Sequence, residues 1–117
     1  MTTKTKFQAI DLLAYRGDTE QYTFSVSQNG TGVNLETYTL AAEGKTDYDA
    51  VTKLFHVPIT DSAGGNQFNV GKVVLTLHRS VTALLPDSCR YDIQATAGEV
   101  YTTLAHGLIA TLRDITG

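Results

Sequence analysis

Few side chains in this sequence carry the chemistry of catalysis or metal binding. His56, His78 and His106 lie far apart, and none has the spacing of a zinc-binding pair with another histidine or with Cys89. No Gly-x-Ser-x-Gly motif occurs, and on a strand Arg90 would point away from the Cys89 thiol. We therefore expect histidines on strand faces or loop edges, a cysteine in the core, and a protein that is not an enzyme.

Two loops match ligand-binding motifs only in part. Residues 47–49, Asp-Tyr-Asp, offer two carboxylates to a hard cation, but calcium takes about six to eight oxygen ligands and no others can be identified. Five residues separate Gly65 from Gly71, one more than a Walker phosphate loop has, and Val73 follows Lys72 where that loop has serine or threonine. We expect a solvated acidic loop at the first position, no nucleotide at the second, and no cofactor.

Two short motifs are better explained as turns. Arg16-Gly17-Asp18 matches a tripeptide that integrins bind, but a Gly-Asp turn between two strands explains it fully. Residues 29–31, Asn-Gly-Thr, satisfy the N-glycosylation pattern. However, Asn29 and Gly30 are also the residue types that supply positive φ angles in a tight turn, and no secretion signal precedes them. Both motifs predict turns.

The composition of the chain argues against nucleic acid and membrane as partners. The chain has 117 residues, 18% of them charged, and nine Lys and Arg are outnumbered by twelve Asp and Glu, for a net charge of −3. Scattered cations in an acidic chain give no phosphate-binding face, so we expect no nucleic acid. No apolar run approaches the roughly 20 residues of a membrane helix, and one cysteine allows no internal disulfide. We expect a protein that folds in a reducing cytoplasm, without a membrane.

The periodicity predicts an all-β protein. Tyr22, Phe24 and Val26 alternate with polar residues, which is typical of a half-buried strand. Similar segments predict about seven strands, which together indicate an immunoglobulin-like antiparallel β-sandwich. The predicted strands cover residues 7–15, 21–27, 35–44, 53–59, 72–77, 89–95 and 100–116.

Two segments near the end of the chain give structural predictions. Residues 80–86 predict a helical turn that crosses between sheets, with Ser80 as its N-cap and Pro86 ending it. Tyr91, at the start of a strand, is expected to anchor the incoming loop through its hydroxyl. Gly107 falls within a segment too long for a typical strand, where it predicts a bulge or bend.

Several segments, taken in order, resemble the small immunoglobulin-like domains of tailed-bacteriophage virions, including the N-terminal domain of baseplate upper proteins and tail-fibre or head-fibre attachment modules. The resemblance implies a virion structural protein that acts through protein contacts, and it assigns no individual binding residue. The segments that carry it are residues 16–19, 33–35, 71–77 with 82–86, 91–94 with 100–109, and 114–116.

Three interpretations of function follow from this resemblance and from the surface composition. We expect a tail, baseplate or fibre-attachment adaptor, with a capsid decoration or head-fibre protein as the alternative in the same class. A host-surface or carbohydrate-binding adhesion module is the alternative of another class. The expected partners are other virion proteins and further copies of the chain. We expect one domain over residues 7–117, preceded by a polar contact arm that consists of Thr2, Thr3, Lys4, Thr5 and Lys6.

Overall fold

A computed structural model describes residues 8–28, 30–47, 50–62 and 64–112. These residues form an all-β fold, as the periodicity predicts. The strands are β1 (Gln8–Ala9), β2 (Leu12–Tyr15), β3 (Glu20–Ser25), β4 (Ser27–Gln28), β5 (Thr31–Gly32), β6 (Thr39–Lys45), β7 (Phe55–Ile59), β8 (Lys72–Leu77), β9 (Ser88–Ala97) and β10 (Val100–Leu112). A 3₁₀ turn covers Phe68–Val70, and a short helix α1 covers Arg79–Thr82.

Two curled sheets make up the sandwich. The large sheet has the order β1-β10-β9-β6-β7, with β2 also pairing with β10 beyond the end of β1, and the small sheet pairs β3 with β8. The large sheet is not antiparallel throughout, because β1 and β2 both run parallel to β10. These strands come from the two ends of the described chain, so no hairpin joins them and dictates an antiparallel direction.

The core lies between the inner faces of the two sheets. Phe24 in β3 and Tyr91 in β9 meet across it, with their ring centroids 6.3 Å apart. Residues of β6 and β9 alternate between buried and less buried positions, as expected for strands with one face on a core. The core includes Leu12, Leu35, Leu40, Val73, Leu75, Leu77, Ile93 and Ile109, each of which is buried.

Several strand boundaries depart from the predictions, including that of β6, which begins at Thr39 and not at residue 35. The segment expected as one strand over residues 7–15 is divided at Ile10 and Asp11 into β1 and β2. The last segment is a single 13-residue strand as far as Leu112, beyond which it leaves the described residues. Its bulge falls between Thr103 and Ala105, so the prediction of a bulge at Gly107 was wrong by a few residues.

The helical turn also begins earlier than predicted. His78 is the N-cap of α1, and its Nδ1 accepts a hydrogen bond of 3.2 Å from the Ser80 amide. Ser80 is therefore inside the helix, and the prediction that it caps the helix was wrong. Because α1 ends at Thr82, Pro86 does not terminate it and instead lies half-buried in the connection to β9.

Candidate protein-binding surface

Three large apolar side chains lie exposed on the outer face of β2 and β10. Leu13 is 49% exposed, Tyr15 is 42% exposed and Leu112 is 41% exposed. Tyr15 pairs with Leu112, and Leu13 pairs with Ala110, so these positions adjoin one another across two strands. We refer to Leu13, Tyr15, Ala110 and Leu112 as the apolar strip. A contiguous apolar group of this kind marks a protein contact more often than a single exposed leucine does.

A tyrosine from the opposite sheet holds β2 in place. The Tyr22 hydroxyl of β3 donates a 2.7 Å hydrogen bond to the Leu13 carbonyl. Burial, together with the nearby Glu20 carboxylate, raises the pKa of Tyr22 well above its usual range, so the hydroxyl keeps its proton and remains a donor. This bond satisfies a backbone carbonyl of the edge strand that carries the apolar strip.

Between β1 and β2, the backbone of Ile10 and Asp11 passes against Gly107 of β10, and we refer to this contact as the Ile10 crossing. The Tyr91 hydroxyl donates a 2.6 Å hydrogen bond to the Ile10 carbonyl. Gly107 on β10 pairs with Tyr91 on β9. A Cβ atom at Gly107 would lie 2.1 Å from the Ile10 carbonyl oxygen. Only glycine therefore permits this approach. The Asp11 carboxylate accepts a 3.1 Å hydrogen bond from the Leu108 amide beside it.

Tyr91 therefore anchors a segment different from the one predicted. The sequence suggested the loop that leads into its strand, whereas the hydroxyl reaches a residue 81 positions earlier in the chain. Gly107 serves a close backbone approach and not a bulge. Together with Ile10 and Asp11, these residues fix the direction in which β2 and its exposed side chains run along β10.

The Arg16-Gly17-Asp18 motif forms the turn that follows the apolar strip. The Arg16 guanidinium donates to the Leu85 carbonyl at 3.1 Å and contacts the exposed Asp87 carboxylate at 3.1 Å. The Thr82 hydroxyl accepts from the Gly17 amide at 3.1 Å and donates to the Asp18 carbonyl at 2.7 Å. Arg16 is thus committed to the fold, which supports the prediction of a structural turn.

Four titratable residues form a row across the outer face of the same sheet. His56 in β7 pairs with Glu43 in β6, Glu43 pairs with Asp92 in β9, and Asp92 pairs with His106 in β10. We refer to these four residues as the charged row. The His56 Nδ1 atom lies 2.7 Å from a Glu43 carboxylate oxygen, and Lys53 contacts that same oxygen.

The pKa values of the two carboxylates in the charged row are shifted in opposite directions. Burial disfavours the charge on Glu43, but hydrogen bonds from Lys53 and His56 outweigh it, so its pKa is lowered. Burial and the neighbouring Glu43 charge raise the pKa of Asp92. Two of the predicted strand-face histidines therefore lie in this row. Within the described ranges, no group of three histidine, cysteine, aspartate or glutamate side chains could hold a metal ion.

The remaining predicted residues fall in several places. Cys89 is buried, and burial raises the pKa of its thiol, which disfavours the thiolate that a nucleophile needs. Gly30 has a φ of 79° in the turn between β4 and β5. Three of the predicted features lie outside the described residues: Asn29, the part of the acidic loop at Tyr48 and Asp49, and the arm from Thr2 to Lys6. No helix in the described segments has the length and apolar character needed to cross a membrane.

The sequence predictions missed the apolar strip. Its signal was the run from Leu12 to Tyr15, which is apolar at four consecutive positions and therefore on both faces of a strand. In a strand with one solvent-exposed face, apolar and polar residues should alternate. An uninterrupted apolar run at a sheet edge therefore indicates a covered outer face or a contact surface.

The fold and surfaces together define an all-β sandwich domain with an exposed apolar strip. No protein-family model and no curated protein matches this chain. Among solved structures, it is similar to the N-terminal domain of ORF48 of phage TP901-1, with a TM-score of 0.57 and 9% sequence identity. The match covers 92% of this chain and 91% of that one. At this identity the similarity shows the fold alone.

Proposed function

We propose that this chain is a non-enzymatic structural protein of a bacteriophage virion, an adaptor of the tail, baseplate or fibre-attachment region. The observation that carries the proposal is the shared fold with a domain of a phage protein, which extends over 92% of this chain. The segments that resemble immunoglobulin-like virion modules support it independently, since they were identified from the residues alone.

The apolar strip is the surface that this function would use. About half of each large side chain in the strip is still accessible, and covering that area contributes roughly 1 kcal/mol per residue. The strip lies on a strand fixed by Tyr22 and by the Ile10 crossing, so little conformational freedom is lost when a partner binds. A virion repeats its sites symmetrically, and modest contacts per copy then add through multivalency.

The proposal is tested by locating the chain in purified particles from the source of its gene. We expect mass spectrometry to find it in particles at a fixed ratio to the other structural proteins, and a reconstruction to place it in the tail. Absence from particles would contradict the virion assignment. Density on the capsid shell would replace the tail assignment with a decoration role.

The role of the apolar strip is tested with a matched pair of charge substitutions. Tyr15→Asp puts a carboxylate into the strip, whereas Val100→Asp puts one at an exposed apolar position at the opposite end of β10. We expect the first variant to lose incorporation into particles and the second to keep it, with both folded by circular dichroism. Equal incorporation of the two variants would show that the strip is not the contact.

A further inference from the structure

A groove crosses the outer face of the large sheet over β7, β6 and β9, away from the apolar strip. Its volume is about 560 Å³, within the range of small-ligand sites. The floor is Ala41, which lies between Pro58 and Gln94 in the strand register. A methyl group between two larger side chains leaves a depression, and Thr96 and Glu43 lie at its two ends.

An exposed aromatic ring adjoins one end of this groove. Tyr101 in β10 pairs with Thr96, so both side chains project from the outer face of the sheet. The side chain of Tyr101 is 71% exposed, which makes its ring one of the most accessible apolar surfaces in the described structure. The ring is therefore available to a ligand that extends from the groove toward β10.

The polar groups along the groove are held in position. Lys53 and His56 both contact Oε2 of Glu43, which leaves Oε1 as an acceptor within the described structure. The Gln94 amide nitrogen donates to Asp92 at 3.4 Å, which orients the amide group and leaves its oxygen as an acceptor. Threonine hydroxyls, which both donate and accept, complete the lining.

The charge balance of the groove selects among ligands. Among the described residues that line it, the carboxylate is Glu43, and its charge is balanced by the contact with Lys53. The floor of the groove lies on β6, which pairs with β7 on one side and with β9 on the other, so the floor offers no unpaired strand to an extended peptide. What it offers is a set of hydroxyl, amide and carboxylate groups beside an exposed aromatic ring.

We propose that this groove binds a neutral saccharide, with Tyr101 as a stacking platform and Gln94 and Glu43 as hydrogen-bond acceptors for ring hydroxyls. Sugar hydroxyls match groups that both donate and accept, and the C–H face of a pyranose ring packs on an aromatic ring. The site is separate from the apolar strip, so its binding does not depend on the assembly function proposed above.

The test is a titration of the ¹⁵N-labelled chain with the neutral trisaccharides maltotriose, cellotriose and chitotriose at millimolar concentration. We expect amide shifts at Ala41, Gln94 and Thr96 with at least one of them. Tyr101→Ala should weaken binding by about tenfold, the scale of a lost aromatic contact. Leu84→Ala, which removes an exposed apolar side chain that lies outside both the groove lining and the apolar strip, should leave the affinity unchanged.

A second variant separates binding in the groove from binding elsewhere. Ala41→Leu fills the floor while keeping an apolar residue on the same strand face, and we expect it to abolish the shifts without unfolding the chain. Absence of groove shifts with all three trisaccharides overturns the proposal, as does undiminished binding by Ala41→Leu. Tighter binding of the anionic sugar sialyllactose would overturn the assignment to neutral ligands.

Discussion

The two ends of one sheet face differ in both chemistry and origin. At the β2–β10 edge the outer face carries the apolar strip, whereas across β7, β6, β9 and the centre of β10 it carries the charged row. The charged row lies largely on antiparallel neighbours. The apolar strip depends on a parallel strand brought from the start of the chain, whose pairing with β10 and whose Tyr91 contact at Ile10 both join residues distant in sequence.

This difference indicates which of the two surfaces, the apolar strip or the charged row, a substitution disrupts more easily. The charged row follows from a ladder of backbone pairs that would persist if one side chain changed. The direction of β2 rests on the Ile10 crossing and on the Thr82 contacts with the turn, each a small number of hydrogen bonds. Substitutions at these supports should therefore disturb the apolar strip first and the charged row least.

The largest effect is expected at Gly107. Gly107→Val puts side-chain atoms where the Ile10 carbonyl now lies, and because a backbone atom is the obstacle, the crossing must move. We expect a loss of about 3 kcal/mol in the free energy of unfolding, measured by urea denaturation. Ala110→Val adds the same type of side chain on the outer face of β10, and should cost less than about 0.5 kcal/mol. Equal losses in the two variants would contradict the role of Gly107.

A smaller effect is expected from the turn that ends β2. Thr82→Val keeps the shape of a fully buried side chain but removes the hydroxyl that bonds to Gly17 and Asp18. Two backbone groups then lose their partner, so we expect about 1–3 kcal/mol of destabilisation. Hydrogen exchange should show faster exchange at the Gly17 amide, while amides of β6 and β9 stay protected. Uniform loss of protection would mean that the turn is not a local support.

Tyr91→Phe tests the crossing without adding bulk. The ring still packs against Phe24, while the Ile10 carbonyl loses its 2.6 Å donor. We expect a loss of about 1–2 kcal/mol, less than for Gly107→Val because the backbone path is unchanged. Tyr38→Phe, at a tyrosine packed at the margin of the core, is the matched control and should be near neutral. A neutral Tyr91→Phe would show that water replaces the lost donor.

How much of these two regions was predictable from sequence depends on the distance between the residues involved. The alternation of Tyr22 and Phe24 is local, and it predicted β3 because period-2 burial needs no knowledge of partners. The Ile10 crossing joins residues 81 positions apart, and no local pattern encodes it. Gly107 was noticed as a special position, but only the structure shows that another strand approaches it.

The charged row was hidden for a related reason. His56, Glu43 and Asp92 have no shared motif or spacing, and they become neighbours only through strand register. Register is fixed by which faces are buried and by turn geometry, so a coarse strand assignment cannot supply it. The motifs that sequence did offer, such as Arg16-Gly17-Asp18, were local turns.

The smallest effects are expected from pH at the charged row, and their signs differ. The pKa of Glu43 is lowered in the folded state, so its contribution to stability is present above the pKa of the unfolded chain and is lost as pH falls through the folded value. The pKa of Asp92 is raised, so its ionised form opposes folding near neutral pH and this penalty disappears as pH falls. Glu43→Gln should therefore destabilise at pH 7 and Asp92→Asn should stabilise.

Both shifts concern partly exposed groups, so we expect changes of about 0.3–1 kcal/mol, measured by thermal unfolding between pH 3 and pH 7. The difference between each variant and the original chain should shrink toward acid pH, because the carboxylates are then neutral in both states. Gly107→Val, in contrast, should cost the same at both pH values, since a steric clash has no titrating group. Variants of Glu43 and Asp92 that shift stability in the same direction at pH 7 would contradict the opposite environments assigned to these adjacent carboxylates.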